Sequence, residues 1–314
     1  MTTDPVAVQI GNVGAAGPAP VNRGRPREIE ELLNHHVVHP LSRAVAGLLI
    51  PTGISPNIVS IMGLGSMCAA SACYLLLPWP WAAFAGLVFH FGWHVLDGAD
   101  GDLARRTGRS SPNGEIVDGV CDHLSHLVLY VTLAVVLSRE IGAWAWPLAV
   151  LAGISRGLQS SSYENARRTY RRWVHGVNWI KQDIGAARDQ ARPGLWKSLS
   201  TGAAGFYLRA SGLVSADDRQ VDAVMSRLTA AGGARAEAAR TLYQQRQRPM
   251  VKRASVLSTN YETMAVFLSL MAGSPLWFFL VQATLLNLTM AALVVVQTRG
   301  YRRLAADLAA LGPG

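Results

Sequence analysis

Charge is scarce in this sequence, and cysteine is scarcer still. Only 16% of the 314 residues are Asp, Glu, Lys or Arg, against 50% hydrophobic. Three long stretches, 57–96, 114–138 and 257–298, contain no Lys or Arg at all. The three cysteines, Cys68, Cys73 and Cys121, all fall in apolar segments. That placement suits small core residues and excludes a disulfide framework or a zinc site. The N-terminus lacks a basic region followed by an apolar core and a cleavage site, so no signal peptide is expected. The charge that is present is unbalanced, with a formal net value of +9. In so apolar a chain, that excess points to a membrane protein before a nucleic-acid binder.

Six apolar runs cover residues 58–77, 81–96, 116–137, 143–158, 256–272 and 276–296. About 20 apolar residues cross a bilayer as a helix, so the fold class expected is an all-α integral membrane protein with six transmembrane helices. The connections after the first, third and fifth runs hold one basic residue, Arg139. By the positive-inside rule both termini and the stretch 97–122 then face the cytoplasm. Trp79, Trp81, Trp144, Trp146 and Trp277 gather at the opposite ends of the runs, as an interfacial aromatic belt would.

Around these spans, residues 1–26 read as a disordered tail, rich in Gly, Pro and Ala without periodicity. Residues 27–50 carry apolar positions at helical spacing and predict an interfacial amphipathic helix, with His35, His36 and His39 at its polar edge. Residues 51–163 hold spans one to four. Residues 164–254 form a cytoplasmic helical insertion that opens on a basic cluster, Arg167 to Arg172, suited to anionic headgroups. Residues 255–298 hold spans five and six, and 299–314 a C-terminal tail.

The chemistry concentrates between spans two and three. Asp97 and Asp100 are three apart and share a helix face, as do Asp118 and Asp122, four apart. Gly114 lies one turn before Asp118 on its stripe, and Ala104 one turn after Asp100. Four carboxylates among small residues make a hard-cation site with room for a bulky polyanion, and magnesium is commonly held by a few carboxylates plus substrate phosphates. Two such ions could stabilise the attacking and leaving oxygens of an in-line displacement on phosphorus.

The full spacing is Asp-x2-Asp-Gly-x2-Ala-Arg-x8-Gly-x3-Asp-x3-Asp. It resembles the signature of the CDP-alcohol phosphotransferase family with every position filled. The segment Pro56-Asn57-Ile58-Val59-Ser60 resembles that family's approach to its first transmembrane helix, with Ser60 where Thr is usual. The resemblance implies that Asp97, Asp100, Asp118 and Asp122 bind one or two Mg2+ (or Mn2+) ions. It implies that Asp122 is also the general base on the acceptor hydroxyl, and that CMP leaves. Gly101, Ala104, Arg105, Gly114, Asn57 and Ser60 would receive the CDP moiety, with Arg105 on the diphosphate. It also implies a six-helix bundle, a homodimer, and membrane lipid as surroundings and substrate. The insertion 164–254 departs from the shorter chains usual in the family.

Two directions of transfer are open. The expected one moves phosphatidyl from CDP-diacylglycerol to a polar alcohol in phospholipid biosynthesis; the alternative moves a phospho-alcohol from a soluble CDP-alcohol to a lipid hydroxyl. A polyprenyl transferase also uses aspartates and magnesium but lacks the Ala-Arg and Gly-x3-Asp-x3-Asp register. A divalent-cation carrier would place its carboxylates near the bilayer midplane rather than beside Arg105, Arg106 and Arg109. Candidate acceptor-binding residues are Ser155, Arg156 and Asn260, at the inner ends of spans four and five, with Arg156 suited to a phosphorylated acceptor. His90, His94 and His126 continue the aspartate stripes and read as hydrogen-bonded between spans or as outer partners of the metal site.

Overall fold

The structure, a computed structural model, describes residues 27–176 and 216–312, and over these the chain is entirely helical. The expected tail at 1–26 and the part of the insertion at 177–215 lie outside the described residues. The chain order is α1 (His39–Leu49), α2 (Pro56–Leu76), α3 (Trp81–Thr107), α4 (Pro112–Ile141), α5 (Ala145–His175), α6 (Arg219–Ala231), α7 (Gly233–Ala254), α8 (Thr259–Met271), α9 (Leu276–Leu280) and α10 (Leu286–Ala309). Three helical stretches among the described residues are long and apolar enough to cross a membrane: Pro56–Leu76, Asn113–His175 and Leu276–Ala309. The second holds α4 and α5 in succession, joined by the short turn Gly142–Trp144.

The apolar runs become helices whose ends are set by local chemistry. Pro56 sits in the first turn of α2, where its missing N–H costs nothing. In α4 the Ser111 hydroxyl accepts from the Gly114 N–H at 3.1 Å, a side-chain cap beside Pro112. Gly108, at φ 66°, ends α3 in a left-handed turn that favours glycine. The run at 256–272 yields only 13 residues of α8, because Ser258 is extended before it and Gly273 turns at φ 89° after it.

Three connections meet at one end of the bundle. The Trp79 indole donates to the Met271 carbonyl at 3.3 Å, Arg139 to the Leu75 carbonyl at 3.4 Å, and the Ser274 hydroxyl to Glu140. All five belt tryptophans are exposed around this end. The motif lies at the other end, so α3 descends toward it and α4 climbs away.

Two cores result. In the bundle, Met67, Tyr74, Trp93, Leu129, Leu133, Phe278 and Phe279 are buried together. Helices α2 and α3 touch there so closely that a Cβ on Gly86 would fall 1.9 Å from the Tyr74 ring. Beyond the motif end, Tyr170, Trp173, Met225, Leu228, Tyr243, Tyr301, Leu304 and Leu308 form a second core. It gathers the extended ends of α5 and α10 with α6 and α7. Residues 299–309, expected as a tail, therefore continue α10 and bury an apolar stripe. Residues 164–175, expected to open the insertion, are the uninterrupted end of α5.

The segment before α1 also differs from the continuous helix expected. Arg27–Ile29 is a single 3-10 turn and Asn34–Val38 a π turn before α1 begins. Two of its acidic residues are drawn to distant helices, and the third is held locally. Glu28 accepts from Tyr170 at 2.6 Å and Gln244 at 2.7 Å, with His175 at 3.1 Å. Glu31 accepts from Tyr163, Ser258 and Asn260. Glu30 faces His35 and His39 at 3.0 and 3.4 Å.

Candidate active site

Helices α3 and α4 bring the four aspartates together as their spacing requires. One carboxylate oxygen from each of Asp97, Asp118 and Asp122 lies within 4.8 Å of the other two. Asp97 of α3 thus faces Asp118 and Asp122 of α4 across the gap. Asp100 is buried, and the Ser60 hydroxyl of α2 donates to its Oδ2 at 2.5 Å. Four carboxylates this close repel one another strongly in a half-buried site, and the natural relief is a cation between them.

The donor set fits a magnesium-class ion. All ligands are hard oxygens, and oxygens around one ion at about 2.1 Å stand at most about 4.2 Å apart, a small side-chain adjustment from the observed cluster. Among the described residues this is the one group of three or more His, Cys, Asp or Glu with that geometry.

Small residues keep the approach open. Gly101 would place a Cβ 3.2 Å from the Arg105 guanidinium. At Gly114 a Cβ would stand 3.2 Å from the Ser111 hydroxyl and 3.5 Å from Asn57 Oδ1, so Asn57 is beside the second half of the motif. Ala104 is half-buried one turn beyond Asp100. Arg105 has a half-exposed side chain and is paired with Asp102, one turn back on α3. Asp102 lies outside the family signature, but its i, i+3 relation to Arg105 is visible in the sequence. Arg106 donates to the Arg43 carbonyl at 3.3 Å and Arg109 to the Gly53 carbonyl at 3.2 Å, which fastens the α3–α4 loop beneath α1.

Each of the candidate acceptor residues is engaged by another group of the protein. Ser155 receives the Asn287 amide at 2.8 Å. Arg156 is buried and fully engaged: it contacts Glu262 at 2.5 Å, the Leu257 carbonyl at 2.9 Å and the Thr259 hydroxyl at 2.5 Å. Tyr130 donates to the same Glu262 at 2.9 Å, and His126 stands 3.8 Å from it. The Arg156 charge is thus matched inside the protein by Glu262. Asn260 is buried on Glu31 at 2.5 Å. His90 and His94 both meet the Thr263 hydroxyl, at 3.1 and 2.7 Å, and so bridge α3 to α8.

Outside the bundle, Glu28 titrates below its ordinary value. Burial alone would raise it, but hydrogen bonds from Tyr170 and Gln244 and the proximity of His175 outweigh that effect.

Comparison with known proteins places these features in context. Residues 54–175 match the CDP-alcohol phosphatidyltransferase family. An uncharacterized CDP-alcohol phosphatidyltransferase class-I family protein of Dictyostelium discoideum is 32% identical over 119 residues, covering 32% of this chain and 28% of its own. Choline/ethanolaminephosphotransferase 1 of Arabidopsis thaliana is 31% identical over 125 residues, with 37% and 32% covered. Cholinephosphotransferase 1 of Gallus gallus is 29% identical over 143 residues, with 40% and 41% covered. The similarity thus spans well under half the length of these curated relatives.

Proposed function

We propose that this chain, which belongs to the CDP-alcohol phosphatidyltransferase family through residues 54–175, transfers a phospho-alcohol from a soluble CDP-alcohol to the hydroxyl of a membrane lipid and releases CMP. The observation that carries the reading is the Asp97, Asp118 and Asp122 cluster, with Asp100 fixed by Ser60. The direction of transfer is supported by the relatives named for choline and ethanolamine. An enzyme that moves a phosphorylated small alcohol leaves the lipid to be the acceptor. The neutralised Arg156 agrees, because it offers no site for an acceptor phosphate.

The roles follow from position. A magnesium ion held by Asp97, Asp118 and Asp122, with Asp100, would neutralise the diphosphate and polarise phosphorus. Gly101, Ala104 and Gly114 leave space for the nucleotide, and Asn57 lines its edge. Arg105 would exchange Asp102 for phosphate oxygens in charge-assisted bonds. Asp122 takes the proton of the attacking hydroxyl as its oxygen bonds to phosphorus, and the CMP oxygen departs on the opposite side. Six spans, with the motif and both termini on the cytoplasmic side, are supported by the gathered connections and by the absence of Lys and Arg from 57–96, 114–138 and 257–298. The chain would act as a homodimer.

The test is CMP release from purified protein in lipid, with magnesium, diacylglycerol and a panel of CDP-alcohols. Release is expected, with loss on chelation and a drop of roughly a hundredfold or more in Asp97→Asn, the scale of losing one preorganised electrostatic contact. Release only from CDP-diacylglycerol with a free polar alcohol would reverse the assigned direction. Full turnover by Asp97→Asn would remove the site assignment.

A further inference from the structure

Glu31 follows Glu28 and Glu30 in an acidic stretch, yet it is 8% exposed. Three donors from two helices converge on it. Tyr163 of α5 reaches Oε1 at 3.0 Å, and Ser258 and Asn260 reach Oε2 at 2.7 and 2.5 Å. Ser258 holds the N-cap position of α8, where a serine ordinarily accepts from the helix N–H groups. Here its hydroxyl makes no cap and is turned to Glu31 instead. A local stabilising contact has been given up to hold this carboxylate in place.

The arrangement fixes the Asn260 amide. A carboxylate only accepts, so the Asn260 NH2 must face Glu31 and the carbonyl oxygen Oδ1 must face away. Asn260 is 5% exposed, and Oδ1 has no hydrogen-bond partner among the described residues. A buried carbonyl oxygen left unpaired carries a desolvation penalty that a bound donor would relieve. Helix register gives its depth. Thr263 of α8 meets His94 of the antiparallel α3 at 2.7 Å. One further turn toward the motif end is Asn260 on α8 and Asp97 on α3, so the two residues stand at the same level of the bundle.

Resting on the function proposed above, we infer that Asn260, oriented by Glu31, is a specificity-determining residue that accepts a hydrogen bond from an N–H or O–H on the head of the alcohol moiety. Glu31 is the positioning residue behind it. The carboxylate polarises the amide, which makes Oδ1 a strong acceptor and favours a primary ammonium above all. A trimethylammonium head has no N–H and would leave the oxygen unpaired.

The test compares kcat/KM for CMP release from CDP-alcohols bearing a primary ammonium, a hydroxyl and a trimethylammonium, with diacylglycerol as acceptor. The same alcohols are also offered free, with CDP-diacylglycerol as donor. The wild type should prefer donor-bearing heads by about tenfold or more, since sites built around a hydrogen bond reject analogues lacking it. Asn260→Leu and Glu31→Gln should flatten that preference mainly through KM. Ser258→Ala and Tyr163→Phe, which loosen Glu31 but spare its bond to Asn260, should keep it. Equal kcat/KM for all heads in the wild type, or an unchanged preference in Asn260→Leu, would overturn the inference. A preference seen only with free alcohols and CDP-diacylglycerol would keep Asn260 in its role and overturn the direction of transfer instead. No release in either arm would overturn both.

Discussion

At the scale of single residues, the buried pair Arg156 and Glu262 separates stability from chemistry. Each would be costly alone: Glu262 takes Arg156 and Tyr130, and Arg156 takes two further oxygens from the start of α8. Replacing one partner strands the other, at a cost of about 3–5 kcal/mol, whereas replacing both by apolar side chains can be nearly neutral. Arg156→Leu should therefore lower the thermal midpoint in detergent sharply, and Arg156→Leu with Glu262→Leu should recover most of the loss. If Arg156 serves structure, the double variant also recovers CMP release. A refolded but inactive double variant would return Arg156 to the acceptor site. Local spacing could place Arg156 at the inner end of its span, but not its partner, which lies 106 positions further along the chain. Asp102 differs, because its pairing with Arg105 is a short-range relation that helical spacing displays.

Helices carry the next level of constraint, and the motif was legible because both halves of it are helical. Fixed i, i+3 and i, i+4 steps place Asp97, Asp100, Asp118 and Asp122 on facing stripes, and the observed cluster follows from two helices meeting on those stripes. What sequence spacing did not reveal is how α1 sets α3. The Ser42 hydroxyl donates to the Val95 carbonyl at 2.9 Å, and a Cβ on Gly98 would stand 2.4 Å from that hydroxyl oxygen. Gly98 thus permits a close crossing beside Asp97. Gly98→Ala should push α1 off α3, costing about 1–3 kcal/mol as overpacking does, and should weaken activation by magnesium because Asp97 moves with α3. Adding Ser42→Gly removes the obstructing atoms and should restore part of both. Thermal unfolding and magnesium titrations of CMP release would read the two effects. Unaltered magnesium dependence in Gly98→Ala would separate the crossing from the site.

At the scale of the whole molecule, the N-terminal segment ties the two cores together. Within four residues, Glu28 bonds to the core built by α5, α6, α7 and α10, and Glu31 bonds to the α7–α8 junction of the bundle. Downstream, α1 rests against the motif helix through Ser42. An amphipathic stripe was visible in 27–50, but Glu28 and Glu31 within it are explained only by partners more than 130 positions away, which periodicity cannot report. The arrangement predicts a pH dependence whose sign follows from Glu28. Its carboxyl titrates below the ordinary 4.5 in the folded chain, so the folded state holds the charged form more strongly than the unfolded one does. The resulting stability is present above about pH 4.5 and disappears as pH falls through the lower folded value. Glu28→Gln should therefore be less stable than wild type at pH 6 to 7, with the difference closing below pH 4. Limited proteolysis of residues 164–254 across that range would detect it, because release of Glu28 exposes Tyr170 and Gln244. If the segment also sets the bundle, cleavage susceptibility and loss of CMP release should rise together in Glu28→Gln at neutral pH, and a variant cut readily yet fully active would leave the second core without influence on the site.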